Sequence, residues 1–239
     1  MRVRVPVAVA LAATLLTGCA QSVDPIERLG KKAAQRVRPH GTAREQPYRH
    51  WGLTAPLAPA PKPSPGPPAR SAGPGLPPVV DHVRTRDKVV FLTYDTRGGD
   101  RDESGRPDPG FADMVRELRL PVTVFRTAAE PGHGHFAGLP YTAQRTEICG
   151  HRTRPAPRLL RPPHGTYDTT TLRAAADCGI SALVLWRAAT TTGTLTYTRG
   201  DHHLAPGDIV RVAPADSTAG LLRGIQEQGL TVGRLEDYL

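Results

Sequence analysis

A chain that folds as an α/β domain around a parallel sheet or barrel is predicted by three features of residues 88–239. Val89-Val90-Phe91-Leu92-Thr93-Tyr94 is a near-continuous apolar, β-rich run, as a strand covered on both faces requires. It ends at Asp95, and Asp108-Pro109 then opens a helical pattern with Phe111, Met114, Val115 and Leu118 at i, i+3, i+4 and i+7. A second strand follows from Pro121 to Phe125, completing a strand-helix-strand unit. The alternation continues with a helix over Thr142 to Cys149, a strand at Arg158 to Leu160, and a helix from Thr169 to Cys178 with Asp168 as N-cap and Gly179 as its stop. Strands at Ala182 to Trp186, Asp208 to Val212 and Leu230 to Leu235 remain, with a helix over Ala219 to Gln228 stopped by Gly229. Parallel folds of this kind gather reactive groups at the carboxyl ends of their strands.

The residues before this domain read differently. Arg2 and Arg4 precede an apolar run from Val5 to Leu16 that is too short to span a bilayer, so residues 1–18 read as an export signal. Leu16-Thr17-Gly18-Cys19 resembles a bacterial lipobox, which implies lipidation of Cys19 and anchoring to the outer face of the cell membrane. Residues 19–54 form a basic membrane-proximal segment: Asp24 and Pro25 cap a stripe of Ile26, Leu29, Ala33 and Val37, compatible with a short amphipathic helix or a disordered basic stretch. Residues 55–87 are rich in Pro, Ala and Gly and read as a disordered linker, a semi-rigid spacer reaching roughly 3 Å per residue. The formal charge of +9 has a large share here, in Lys31, Lys32, Arg36, Arg38, Arg44, Arg49, Lys62 and Arg70. On an exported chain such charge suits anionic lipid and cell-wall polyanions and gives no reason to expect nucleic acid. Of three cysteines, lipidation of Cys19 leaves Cys149 and Cys178, either a disulfide or two buried thiols.

The chemistry centres on Asp95, a carboxylate at a strand end followed by Gly98 and Gly99, where a base or a simple turn former would sit. Thr93-Tyr94-Asp95, Arg161-Pro162-Pro163-His164-Gly165 and the Trp186 strand Val184-Leu185-Trp186 together resemble the first, third and fourth motifs of the polysaccharide deacetylase family, also called NodB-homology or carbohydrate esterase. The resemblance implies a distorted (β/α) barrel of the NodB-homology type over residues 88–239. It also implies hydrolysis of acetyl groups from cell-wall glycans, peptidoglycan or chitin-like, by a water on a divalent metal, usually zinc. On that likeness Asp95 is the base, Arg161 orients it, Trp186 lines the acetyl pocket, and His164 takes the place of an aromatic that packs at the substrate site.

The chain also departs from the family pattern. Thr96 stands where a second, metal-binding Asp is found, and His133 and His135, two apart, are the nearest candidates for the ligands of an H-x-x-x-H motif. Such a pair converges on one ion only from an extended segment. The strand Asp208-Ile209-Val210-Arg211-Val212 carries no histidine where the family has its general acid. The stretches 125–141 and 149–158 are short for the fold, so the barrel is expected to be trimmed by deletions. Three possibilities stay open: a metal-dependent deacetylase with an unusual metal shell, a glycan-binding descendant without turnover, and a structural lipoprotein.

Overall fold

The structure, a computed structural model, describes residues 46–96, 109–126, 135–150, 158–191, 194–199, 202–212 and 218–239. The export signal, Cys19, the stripe from Ile26 to Val37, and His133 all lie outside the described residues. Strand β3 (Val89–Thr96) is the centre of the molecule. Its neighbours are β4 (Thr123–Arg126), β9 (Ile209–Val212) and β10 (Thr231–Gly233), and all three pair with β3 in parallel. One edge of β3 takes β10 along Val89 to Phe91 and β4 along Thr93 to Thr96, while the other takes β9 along Phe91 to Tyr94.

Residues 89–92 of β3 are at most 1% exposed, and alternate residues serve two cores. Val90, Leu92 and Tyr94 pack outward against Phe111 and Met114 of helix α2 (Pro109–Leu118) and against Leu221, Leu222 and Ile225 of helix α5 (Thr218–Glu227). Val89 and Phe91 face the other way, into a cluster with Val184, Ile209, Phe125 and Leu235. The apolar run is thus continuous because both of its faces are covered, as the sequence predicts. The same alternation puts Thr93 and Asp95 on the face of Phe91, and Arg211 on the face of Ile209.

A second sheet runs in the order β1 (Ser71–Gly73), β2 (Leu76–Val80), β6 (Ala182–Val184) and β5 (Leu159–Leu160). The chain passes from it into the first sheet through Leu185 and Arg187, whose N–H groups donate to Val80 O and Ile209 O at 2.8 and 2.9 Å. It continues as β7 (Ala188–Thr191), parallel to β9 and antiparallel to β8 (Thr194–Tyr197). This hairpin was not read from the sequence, because Ala188-Ala189-Thr190-Thr191 has neither alternation nor a large apolar residue. Helices α3 (Tyr141–Gly150) and α4 (Thr169–Asp177) lie over the second sheet with Phe136, Ile148, Leu172 and Leu183 between them. Asp168 caps α4 as expected, accepting from Thr171 N at 2.8 Å, and Gly179 follows its end with φ +68°. Cys149 and Cys178 form a disulfide joining the two helices, Cα atoms 5.1 Å apart, which decides between the alternatives for these thiols.

The expected spacer over residues 55–87 needs correction. Residues 71–80 form β1 and β2, and Val79 and Val80 pair in parallel with Leu183 and Val184, so the folded part begins well before Lys88. Pro77 and Pro78 hid this strand by composition; both precede the stretch that pairs with β6. Upstream of it, residues 46–64 are docked as well. The single-turn helix α1 (Pro47–His50) leads to Leu53, which is 3% exposed, and Trp51 Nε1 donates to Glu117 Oε2 at 2.8 Å. Proline-rich backbone has few N–H donors but keeps its carbonyls. The barrel therefore supplies the donors: Arg223 Nη1 reaches Gly52 O at 3.1 Å, and Gln226 Nε2 reaches Ala55 O and Pro56 O at 3.1 and 3.2 Å.

Candidate functional site

Asp95 sits near the carboxyl end of β3 on the inward face, and two guanidinium groups address it. Arg161 follows β5, the two-residue strand from Leu159 to Leu160, and its side chain is 1% exposed. Its Nη1 donates to Asp95 Oδ1 at 3.0 Å. The other donors are used too: Nη2 reaches Thr93 Oγ1 at 2.8 Å and Leu185 O at 3.3 Å, and Nε reaches Val184 O at 3.3 Å. Thr93 accepts from Arg161 while its own hydroxyl donates to Val210 O at 2.8 Å. The guanidinium also lies over the rings of Phe125, at 4.2 Å, and Trp186, at 5.4 Å. Burial brings the Arg161 guanidinium down to about 10, opposed by the charge and hydrogen bond of Asp95, with Arg211 acting in the same direction as burial.

Arg211, on β9, is the second cation, and its significance was missed in the sequence. Its Nη1 is 4.0 Å from Asp95 Oδ2, and its guanidinium lies 4.5 Å over the Trp186 ring. A signal existed: with Ile209 inward, period 2 puts Arg211 inward beside Thr93, its partner in the ladder. Gly165 completes this end of the barrel. Its φ is +71°, and a Cβ there would stand 3.0 Å from Trp186 Cη2, so glycine is needed both for the turn and for the close approach of the loop to the indole.

His135 and His164 lie together, their rings in contact. His164 has φ +54° and is exposed, in place of the packed position expected for it, and its ring centroid is 4.8 Å from that of His135. His135 is itself exposed and bonds Thr166 Oγ1 through Nδ1 at 3.0 Å. No group of three His, Cys, Asp or Glu gathers among the described residues in a way that could hold a metal. Among the described residues, the donor set around Asp95 does not fit a divalent ion. One carboxylate oxygen is hydrogen-bonded to Arg161, and the other faces Arg211. A cation brought to the Oδ2 side meets like-charge repulsion from Arg211 as placed. A cavity of about 660 Å³ lies elsewhere, lined by residues 63–70 with Asp81, His82, Arg187 and Tyr238, and includes none of the groups around Asp95.

No family model matches the chain. An uncharacterized protein of Streptomyces coelicolor, SCO4760, is 52% identical over 213 residues, covering 73% of this chain and 83% of that protein. The chain belongs to the same family as SCO4760. Among solved structures, a family 4 carbohydrate esterase from Bacillus anthracis aligns with a TM-score of 0.51 at 18% identity, over 67% of this chain and 86% of that one. A family 4 pseudoenzyme from the same organism aligns at 0.49 with 19% identity, over 66% and 67% of the two chains. The fold is that of the family 4 carbohydrate esterases, the polysaccharide deacetylases, as the motifs around Asp95 and Arg161 imply. Within that esterase fold, Asp95, Arg161 and Trp186 converge at one end of the barrel, and Arg211 joins them.

Proposed function

We propose that this protein is a cell-surface lipoprotein that uses a polysaccharide deacetylase fold to hold cell-wall glycan, with acetyl hydrolysis impaired. The observation that carries this is the Asp95 carboxylate lying between Arg161 and Arg211. A carboxylate that activates water needs an oxygen open to that water, and a metal-assisted route needs ligands that hold the ion beside it. Here the cations next to Asp95 are guanidinium groups. Arg161 acts as a positioning residue for Asp95, and Trp186 forms the apolar wall of the site. Cell-surface anchoring is supported by Cys19 behind an export-type segment, and a wall glycan as ligand by the fold.

The test combines three measurements on the full chain: metal content by elemental analysis, acetate release from N-acetylglucosamine oligomers, and retention on insoluble peptidoglycan and chitin. Wild type and Asp95→Asn are expected to release no acetate above background and to hold less than one metal per chain, while wild type is retained on glycan. Stoichiometric zinc together with acetate release that Asp95→Asn abolishes overturns the proposal in favour of a working deacetylase. Fractionation tests the anchor, since Cys19→Ser is expected to move the protein out of the membrane fraction.

A further inference from the structure

Two guanidinium groups, of Arg161 and Arg211, meet around the one carboxylate of Asp95, and the formal charges of the three do not cancel. Arg161 is the structural partner, 1% exposed and hydrogen-bonded to Asp95 Oδ1, to Thr93 Oγ1 and to two carbonyls. Arg211 is different in kind. Its side chain is 31% exposed, and its 4.0 Å separation from Asp95 Oδ2 is an ion-pair distance, too long for a hydrogen bond. Among the described residues, Asp95 is the one acidic group within ion-pairing distance of it. Its guanidinium carbon lies 4.5 Å over the Trp186 ring, a cation–π contact that restrains where the N–H fork sits. A neutral acetamide brought to this end of the barrel leaves the surplus charge uncompensated. An oxyanion compensates it and supplies acceptors for the fork.

We infer that Arg211, backed by Trp186, binds an oxyanion, a carboxylate or phosphate, carried on the glycan that this site holds. This rests on the glycan-binding function proposed above and narrows the ligand from acetylated glycans in general to acidic ones. Arg211 stands on the same inward face as Ile209, so the anion approaches from the end of the barrel where Asp95 lies. The contribution is a short-range, charge-assisted one that weakens as salt rises.

The test is calorimetric binding of the full chain to three tetrasaccharides: neutral chitotetraose, chitotetraose phosphorylated at one 6-hydroxyl, and an alternating glucuronate and N-acetylglucosamine oligomer. Wild type is expected to bind at least one acidic oligomer about tenfold more tightly than the neutral one, the scale of one charge-assisted hydrogen-bonded contact. Which acidic oligomer is preferred distinguishes carboxylate from phosphate. Arg211→Gln is expected to erase that preference, and Arg211→Lys to keep part of it, since charge without the planar fork is a weaker match. Arg116→Gln, the same charge change on the exposed surface of α2, controls for non-specific attraction by a basic chain and is expected to leave the preference intact. Folding of each variant is checked by its thermal midpoint. If acidic and neutral oligomers bind alike, or the preference survives in folded Arg211→Gln, the oxyanion site is overturned while glycan binding stands. If none of the three binds, both fall.

Discussion

At the residue scale, the carboxylate in the position of the family's base is also a structural counter-charge. Asp95 compensates a guanidinium buried between Phe125 and Trp186, and removing one partner of a buried pair leaves the other uncompensated. Asp95→Ala is therefore expected to lower stability by about 3 to 5 kcal/mol in urea unfolding. Asp95→Asn keeps an acceptor for Arg161 and is expected to cost clearly less. That difference is why the asparagine variant is the one suited to acetate-release measurements. Gly165 gives a second expectation at this scale. Gly165→Ala forces a Cβ into a left-handed backbone and against Trp186, and is expected to cost about 1 to 2 kcal/mol and to change the near-ultraviolet circular dichroism of the indole.

At the element scale, the segment that composition marks as a spacer behaves as a strap. Its residue Leu53 is buried with Val232 and Leu230 in the outer core, so Leu53→Ala is expected to destabilise the whole domain by about 2 kcal/mol in thermal or urea unfolding. A free spacer would show no change. The strap is also clipped at Asp87, which accepts from Ser64 N and Oγ at 2.9 and 2.7 Å and from the Tyr238 hydroxyl at 3.1 Å. The hydrogen bonds from Ser64 hold the Asp87 carboxyl below its ordinary value. A lowered carboxylate contributes stability that is present above its unfolded value of 3.8 and is lost as pH falls through the folded value. Burial first, then the bond to Asp87, pushes the Tyr238 phenol up to about 12. Its contribution is present below 10.0 and is lost as pH rises from there through about 12. Melting temperatures measured across both limbs are expected to fall at each end, and Asp87→Asn is expected to flatten the acid limb.

At the scale of the whole molecule, the two sheets are held by different means: β3 and its parallel neighbours by a continuous apolar core, and the second sheet by two helices tied through Cys149 and Cys178. Closing a loop of this length removes about 3 to 4 kcal/mol of unfolded-state entropy, so reduction is expected to lower unfolding free energy by up to that amount in urea titrations with and without reductant. Much of this plan is legible in the sequence. Val89 to Tyr94, the stripe from Phe111 to Leu118 and the Asp168 cap declare themselves locally, because strand and helix periods and capping depend on near neighbours. The pairing of Asp95 with Arg161 follows from their motifs, although 66 positions separate them. Arg211, by contrast, looks like an ordinary strand charge until β9 is laid beside β3, and Val79 and Val80 are hidden by prolines until β6 gives them a partner. The sequence by itself determined the α/β class, the alternation of strands and helices after Val89 apart from the β7–β8 hairpin, and the location of the carboxylate. Only the tertiary structure decided that a second guanidinium shares that carboxylate and that the proline-rich segment belongs to the domain, because both depend on contacts between residues far apart in the chain, about which local pattern carries no information.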